Sequence, residues 1–187
     1  MNSLPRIPAL NRPEGKRTDG MDAGWTKPRE VAKHCRMSLA ILYATVSGNA
    51  EALAQFAARR LEQAGITSVV ANVADFPAER LQAFDTALLI ASTWGEGAPP
   101  PDAADFCAAL QQPAARPLPR LRYAVFALGS SSYAVFCGCG RRLDEDLARC
   151  GAQRLLRCAE GDLKPKAAFE KWLEAVTAVL SSRVPPP

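Results

Sequence analysis

Short apolar runs alternate along this chain with longer segments of helical periodicity, and this alternation constrains the fold more than any other feature. The apolar runs span residues 39–43, 67–73, 84–91, 122–128 and, more briefly, 154–158. Strands that are apolar on both faces and alternate with helices form parallel sheets that are covered on both sides. The sequence therefore predicts a doubly wound, five-stranded α/β sandwich with three layers.

Helix candidates fill the gaps between these strands, as the crossover connections of a parallel sheet require. They span residues 50–64, 78–82, 102–110, 139–149 and 166–180. Ligands of such folds bind outside the carboxyl ends of the strands. We therefore expect the functional residues on the loops that follow the first, third and fourth strands.

Length and composition indicate one globular domain. The 187 residues are 48% hydrophobic and 22% charged, which is typical of a domain with its own core. Residues 1–37 have scattered prolines and no sustained apolar period, so they are predicted to be a flexible leader. The domain is predicted to span 38–182, with a tail at 183–187. Because Met37 directly precedes the first strand, we also consider it as the native start.

Charge and hydropathy exclude two classes of partner. The leader has 8 basic and 4 acidic residues and the rest of the chain has 15 of each, so the net charge of +4 comes from the leader. A neutral body gives no reason to expect nucleic-acid binding. No run approaches the roughly 18 apolar residues of a membrane span, and the N-terminus lacks the apolar core of a signal peptide. We expect a cytoplasmic protein that binds neither nucleic acid nor membrane.

The six cysteines predict no metal or disulfide site. Cys137 and Cys139 are separated by a single residue, which differs from the CxxC spacing of redox and zinc motifs, and the one histidine, His34, lies in the leader. We expect the cysteines to be reduced and to pack as small buried hydrophobic side chains.

The loop after the first strand offers donors for a phosphate group. It reads ATVSGNAE over residues 44–51 and leads directly into a helix. The hydroxyl groups of Thr45 and Ser47 and the backbone N–H groups at the helix start suit a phosphate monoester. The loop lacks Lys and Arg, as well as the GxxxxGK[ST] and GxGxxG patterns. An ordinary helix N-cap is the alternative interpretation.

Two further loops each carry an aromatic side chain. STWGEG follows the third strand at 92–97, and LGSSSYAVFC at 128–137 begins at the end of the fourth strand. Trp94 and Tyr133 at the carboxyl end of the sheet suit the two faces of a planar ligand, although a structural surface role for Trp94 is the alternative. Phe136 is expected to fill the core, as is Trp172 of the last helix with its neighbours Phe169 and Leu173.

These three loops together resemble those of the FMN-binding domain of the diflavin reductases, the group of sulfite reductase flavoproteins and cytochrome reductases, and of single-domain flavodoxins. The resemblance covers about residues 38–180 and rests on YATVSGNAE at 43–51, STWGEG at 92–97 and the LGxxxYxxFC pattern at 128–137. It implies a flavodoxin-like sheet with strand order 2-1-3-4-5 and one FMN bound without a covalent link.

The resemblance also implies which residues bind this cofactor. The first loop would hold the phosphate, Trp94 and Tyr133 would flank the ring system, and Asp162 would be an acidic residue near the flavin. The complete set is Thr45, Val46, Ser47, Gly48, Asn49, Ala50, Ser92, Thr93, Trp94, Gly95, Gly97, Leu128, Gly129, Ser130, Tyr133, Phe136, Cys137 and Asp162.

Some features depart from the family pattern. The family usually has Gln or Glu where Val46 stands, and Asp or Asn where Ser130 stands. The body is neutral, whereas many flavodoxins are strongly acidic. We expect a local acidic set to supply electrostatic docking to a partner instead, formed by Glu96, Asp102, Asp105, Asp144, Glu145 and Asp146.

The sequence thus predicts an FMN-binding, one-electron carrier rather than a complete enzyme. Because it contains no second domain for FAD or NADPH, we expect a separate NAD(P)H-dependent flavin reductase as electron donor and a redox protein as acceptor. One alternative is the FMN subunit of a split, sulfite-reductase-like NADPH system. Another is a flavin-free interaction or signalling domain, although the ends of the first and third strands lack the acidic residues of a phosphorylated receiver.

Overall fold

The computed structural model describes residues 37–112 and 117–182. The predicted leader, apart from Met37, and the predicted tail lie outside the described residues, so the domain boundaries stay a prediction. The described part of the chain contains six strands and four α-helices. The strands are β1 (Leu39–Ala44), β2 (Val69–Asn72), β3 (Thr86–Ser92), β4 (Arg122–Leu128), β5 (Gln153–Arg154) and β6 (Ala159–Gly161). The helices are α1 (Asn49–Gln63), α2 (Ala104–Leu110), α3 (Gly138–Arg149) and α4 (Lys166–Ser181).

The strands form one parallel sheet in the order β2-β1-β3-β4-β5. This confirms the predicted order 2-1-3-4-5. β1, β3 and β4 lie at the centre, and their side chains are buried on both faces of the sheet. The continuous apolar runs of these strands therefore reflect cover by helices on both sides.

Two apolar clusters fill the space between the sheet and its helices. Leu42, Leu89 and Val125 face α2 and α3. Neighbouring residues in the same strands face α1 and α4, because successive strand residues point to opposite faces. In this second cluster the ring of Phe126 meets that of Phe169 edge to face, with centroids 4.9 Å apart. The result is the predicted three-layer arrangement.

Trp172 and Leu173 of α4 are buried together with Phe169, which confirms that this face of the last helix belongs to the core. Every cysteine in the described ranges is free, and four of the five are buried. These ranges contain no cluster of three or more side chains that suits a metal ion. They also contain no helix with the length and apolarity that crossing a membrane demands.

The predicted fifth strand at 154–158 is wrong in its bounds. Only Gln153–Arg154 and Ala159–Gly161 are extended, and both segments pair with β4. Between them, Leu155 and Leu156 both pack against the cluster on the α1 and α4 side. A regular strand points consecutive residues to opposite faces, so burying both leucines on one side interrupts the pairing.

Candidate functional site

A cleft of about 580 Å³ lies at the carboxyl ends of β1, β3, β4 and β6. The loops after these four strands supply its lining, including Ser47, Trp94, Tyr133 and Asp162. This volume is within the range of roughly 300–1,000 Å³ that is usual for small-molecule sites. The position is the one at which open α/β sheets bind ligands.

The first loop presents the N-terminus of α1 to this cleft. Gly48 takes a left-handed conformation with φ of 80° directly before the helix, and no side chain caps the helix. Inside the loop, the N–H of Gly48 donates to Oγ1 of Thr45 at 2.9 Å. Ser47 and Asn49 are exposed and line the cleft. The turn thus leaves donors near the positive end of a helix available to an anion.

The second loop is a tight turn that carries Trp94. The N–H of Trp94 donates to the carbonyl of Ala98 at 2.8 Å, and the N–H of Ala98 donates back at 2.9 Å. The Trp94 side chain is 51% exposed. A large aromatic side chain at a cleft wall, held on a hydrogen-bonded turn and half exposed, suits contact with a planar ligand.

Val135 of the third loop packs into a notch that two glycines leave open. A Cβ added to Gly97 would lie 2.5 Å from Cγ1 of Val135, and a Cβ added to Gly138 would lie 2.7 Å from the same atom. Gly97 has a φ of 92°, which side chains rarely adopt. The Trp94 turn is therefore held against the third loop by contacts that admit no larger residue.

The third loop is tied to the strands on both sides. The N–H of Thr93 donates to the carbonyl of Leu128 at 2.9 Å, and the N–H of Gly129 donates to that of Gly161 at 3.0 Å. A Cβ on Gly129 would lie 2.7 Å from the backbone nitrogen of Cys137, so the chain folds back on itself there. Tyr133, at 55% exposure, stands on this loop as the second exposed ring of the cleft.

Asp162 joins the third loop to the loop after β6. Its carboxylate accepts hydrogen bonds from the N–H and hydroxyl groups of Ser131, and from the N–H of Leu163 at 2.8 Å. These bonds, those from the Ser131 side chain above all, lower the pKa of Asp162 below its usual value. Asp162 therefore places a carboxylate, rather than a carboxylic acid, at the cleft around neutral pH.

The structure brings together twelve of the eighteen predicted site residues. Those that line the cleft are Val46, Ser47, Asn49, Ser92, Thr93, Trp94, Gly95, Leu128, Gly129, Ser130, Tyr133 and Asp162. The other six, Thr45, Gly48, Ala50, Gly97, Phe136 and Cys137, are not in its lining.

These six residues lie behind the cleft or shape its loops. Ala50 and Cys137 are fully buried, and the thiol of Cys137 donates to the carbonyl of Ala127 at 3.3 Å. Thr45 and Gly48 bond to each other, as described above. Phe136, expected in the core, is only partly buried.

Three lining residues were not predicted from the sequence, namely Val135, Leu163 and Pro165. Leu163 and Pro165 follow β6, which extends the sheet beside the carboxyl end of β4. The loop after the last strand of a parallel sheet lies at the same edge as the other ligand-binding loops. The sequence signal that could have identified Leu163 as a lining residue is its position directly after Asp162, a predicted site residue.

The six acidic residues expected to form a docking surface do not all lie on the surface. Asp144 is buried and forms a salt bridge with Arg154 at 2.8 Å, and Asp146 is fully buried beside Arg149, to which it is also paired. Only the remaining four members, Glu96, Asp102, Asp105 and Glu145, are exposed. Two carboxylates of the predicted set therefore lie buried near α3 and cannot dock a partner.

Comparison with known proteins gives consistent matches. The flavodoxin family model matches residues 41–174. The sulfite reductase [NADPH] flavoprotein alpha-component of Bacillus subtilis (strain 168) is 38% identical over 136 residues, which are 73% of this chain and 22% of that protein. The namesake from Vibrio cholerae serotype O1 is 34% identical over 155 residues, 83% of this chain and 25% of the relative. The chain thus spans about a quarter of the length of these relatives.

Solved structures of flavodoxins have the same fold. Oxidised flavodoxin 1 from Bacillus cereus superposes with a TM-score of 0.69 and 29% identity, covering 79% of this chain and 99% of the flavodoxin. A cysteine-to-serine mutant of flavodoxin from Pseudomonas aeruginosa gives a TM-score of 0.68 and 28% identity, with 78% and 99% coverage.

Proposed function

The chain belongs to the flavodoxin family and is an FMN-binding electron-transfer protein, and we propose that it works as a one-electron carrier supplied by a separate reductase. The observation that carries this proposal is the cleft in which the uncapped start of α1, two exposed aromatic side chains and one carboxylate meet. These groups match the phosphate, the planar ring system and the polar edge of FMN.

The residues around the cleft fit FMN in chemistry as well as in volume. Ser47 and Asn49, with the N–H groups at the start of α1, would hold the phosphate through neutral donors. Trp94 and Tyr133 would cover the faces of the ring system. Gly129 approaches Cys137 so closely that no side chain fits between them. The chain therefore presents backbone, rather than side chains, next to the cleft at this point. These assignments to individual residues are part of the proposal.

FMN supplies the redox chemistry when it is bound, and the chain sets the environment in which electrons enter and leave. The aromatic side chains would exclude water from the faces of the bound ring system. The ionised Asp162 adds a negative charge that disfavours further negative charge on its neighbours. No side chain of the cleft needs to act as an acid or a base. The chain's contribution is to bind, orient and bias the redox group.

We also propose an NAD(P)H-dependent flavin reductase as donor and a second redox protein as acceptor. The names of the relatives specify NADPH together with a flavoprotein, and this chain matches about a quarter of their length. A cytoplasmic location is part of this proposal, because the cysteines of the described ranges are all unbridged.

A second candidate function is that of the FMN subunit in a split, sulfite-reductase-like NADPH system. The identity of 34–38% to sulfite reductase flavoproteins, higher than the 28–29% to the two flavodoxin structures, favours this alternative. The two candidates differ in the acceptor. Co-purification with, and electron transfer to, a partner that reduces sulfite would favour the subunit, and transfer to other acceptors alone would favour the carrier.

The experiment that tests FMN binding is the isolation of the protein itself. We expect a yellow preparation that releases FMN on denaturation in a ratio near one per chain. Stepwise reduction with dithionite should then proceed in two separate one-electron stages, as monitored by absorbance. A colourless protein that takes up no FMN would refute the proposal, and a single two-electron stage would refute the one-electron carrier.

A further inference from the structure

Two cysteine thiols meet between α2 and α3, on the side of the sheet opposite α1 and α4. Cys107 lies in the middle of α2, and Cys139 is the second residue of α3. Both side chains are buried, at 6% and 2% exposure, in the same apolar cluster. The thiol of Cys139 donates a hydrogen bond to the sulfur of Cys107. The fold thus brings two oxidisable sulfur atoms into contact.

The other cysteines of the described ranges bond differently. The thiols of Cys137, Cys150 and Cys158 each donate to a backbone carbonyl. A thiol that donates a hydrogen bond is favoured in its protonated form, whereas a sulfur that accepts one is favoured as a thiolate. The contact between Cys107 and Cys139 therefore distinguishes this pair from the neighbouring thiols.

The two sulfur atoms of the pair differ in acidity. The hydrogen bond from Cys139 lowers the pKa of Cys107 below its usual value, although burial and the charge of Asp146 act in the opposite direction. The same hydrogen bond, together with burial, raises the pKa of Cys139. The guanidinium group of Arg142 favours the thiolate at both positions. Because the thiolate is the nucleophile, Cys107 is the attacking sulfur and Cys139 the resolving thiol.

The start of α3 connects this pair to the FMN cleft. The N–H of Cys139 donates to Oγ1 of Thr93 at 3.4 Å, and Thr93 lines the cleft. The neighbouring Gly138 lies against the Trp94 turn, since a Cβ added there would be 2.9 Å from Cα of Gly97. A disulfide holds its sulfur atoms about 2.05 Å apart, closer than two thiols in contact. Forming this bond would therefore pull the start of α3 toward α2 and shift the wall of the cleft.

We propose that Cys107 and Cys139 are a redox-active dithiol that hydrogen peroxide converts into a disulfide, and that this bond weakens FMN binding. The effect on FMN rests on the proposed function, whereas the disulfide itself does not. The dithiol is a site of covalent chemistry outside the cleft, and it needs no group other than the peroxide.

The reaction has two steps. The Cys107 thiolate attacks one oxygen of the peroxide, so an S–O bond forms, the O–O bond breaks, and the hydroxide that leaves takes up a proton to become water. The sulfur of Cys139 then attacks the sulfenic acid: the S–S bond forms, the S–O bond breaks, and hydroxide leaves with the Cys139 proton as a second water. The two thiols lose two electrons, and one peroxide becomes two waters. A dithiol reductant reverses the change by thiol–disulfide exchange.

Peptide mapping of the full chain tests the disulfide. The protein is isolated under reducing conditions, treated with hydrogen peroxide, alkylated at its remaining thiols and digested without reduction. We expect one linked pair of peptides that joins Cys107 to Cys139, as assigned by tandem mass spectrometry, and that separates on treatment with dithiothreitol. The absence of any linkage would overturn the proposal, as would linkage of either sulfur to another cysteine, including Cys35, which lies outside the described residues.

Variants assign the two roles. Cys139→Ala removes the resolving thiol, so dimedone should trap a sulfenic acid at Cys107, and Cys107→Ala should leave Cys139 unlabelled by dimedone. Cys150→Ala is the matched control because it removes another buried thiol from the same cluster. This control should retain the linkage between Cys107 and Cys139. Dimedone labelling of Cys139 in place of Cys107 would contradict the assignment.

Fluorescence titration with FMN, after the peroxide has been removed, tests the effect on the cleft. We expect oxidation to raise the dissociation constant by about fivefold or more, the lower end of usual couplings between two sites, and dithiothreitol to restore it. Cys107→Ala cannot form the bond, so peroxide should leave its FMN affinity unchanged. A change below about twofold in a fully linked wild type would overturn the effect on FMN. If the reduced chain binds no FMN, the proposed function fails, while the linked peptides still decide the disulfide.

Discussion

Replacing Gly97 by alanine tests whether the notch around Val135 positions the Trp94 turn. The new Cβ would lie 2.5 Å from Cγ1 and 2.9 Å from Cβ of Val135, whereas carbon atoms in contact are normally about 3.5–4.0 Å apart. Overpacking of this kind costs about 1–3 kcal/mol. The φ of 92° adds about 1–2 kcal/mol for a residue with a side chain. The total is about 3 kcal/mol.

This cost divides between FMN affinity and stability. If the turn moves away to relieve the clash, Trp94 leaves the cleft, and the dissociation constant should rise by up to roughly 100-fold, the factor to which about 3 kcal/mol corresponds. Fluorescence titration with FMN measures this change. Urea unfolding of the apoprotein measures the loss of stability.

Two controls separate the clash from the backbone strain. Gly151 also has a positive φ, 83°, but a Cβ there would meet no atom within 4 Å, so Gly151→Ala should cost only about 1–2 kcal/mol. Val135→Gly removes the clashing atoms, so the pair Gly97→Ala and Val135→Gly should cost less than the sum of the single changes. The reasoning is refuted if Gly97→Ala costs no more than Gly151→Ala, or if the two changes at the notch are additive.

Three further predictions concern the cleft and the thiols. Trp94→Ala and Tyr133→Ala should each weaken FMN binding by about 10–100-fold, in line with roughly 1–3 kcal/mol for stacking on a planar base, while far-UV circular dichroism stays unchanged because both side chains are half exposed. The pKa of Asp162 is lowered in the folded protein, so its contribution to stability is complete above the unfolded pKa of about 3.9 and is lost as the pH falls through the lowered value. Asp162→Asn should therefore be less stable than the wild type at pH 7 and should match it in the acid limit, as urea unfolding at several pH values would show; a constant difference across this range would contradict the assignment. Burial raises the pKa of Cys137 to about 11 and that of Cys158 to about 12, so iodoacetamide at pH 8 should label both far more slowly than in urea, and equal rates in peptide mass spectrometry would refute this.

Much of the fold was predictable because its central strands are buried on both faces. β4 spans Arg122–Leu128, as the apolar run predicts, and α1 and α4 differ from their predicted bounds by one residue. β2 spans Val69–Asn72 rather than 67–73. At its carboxyl end it stops one residue early, at Asn72, whose Oδ1 accepts the N–H of Ala74 at 3.0 Å and starts a tight turn. Asn side chains can form such local hydrogen bonds, but Asn also occurs inside strands. The sequence pattern alone therefore does not locate the end of β2.

The candidate site was predictable where sequence motifs build its loops, and less so where its shape depends on packing between loops. Trp94 and Tyr133 follow strands whose ends the sequence indicates. Val135 was missed because its role depends on the empty space beside Gly97, which appears only when two distant loops meet. The burial of Asp146 was missed for a related reason: whether this residue is buried depends on which side of α3 packs against the sheet and α2.

The interruption between β5 and β6 also affects how the chain behaves when it is concentrated. The outer border of the sheet on that side has only two and three consecutive extended residues, separated by a segment that turns its leucines inward. A neighbouring molecule therefore finds no long row of free backbone donors and acceptors with which to extend the sheet. The break that shortens the fifth strand thus also disfavours strand-to-strand association at this edge of the sheet.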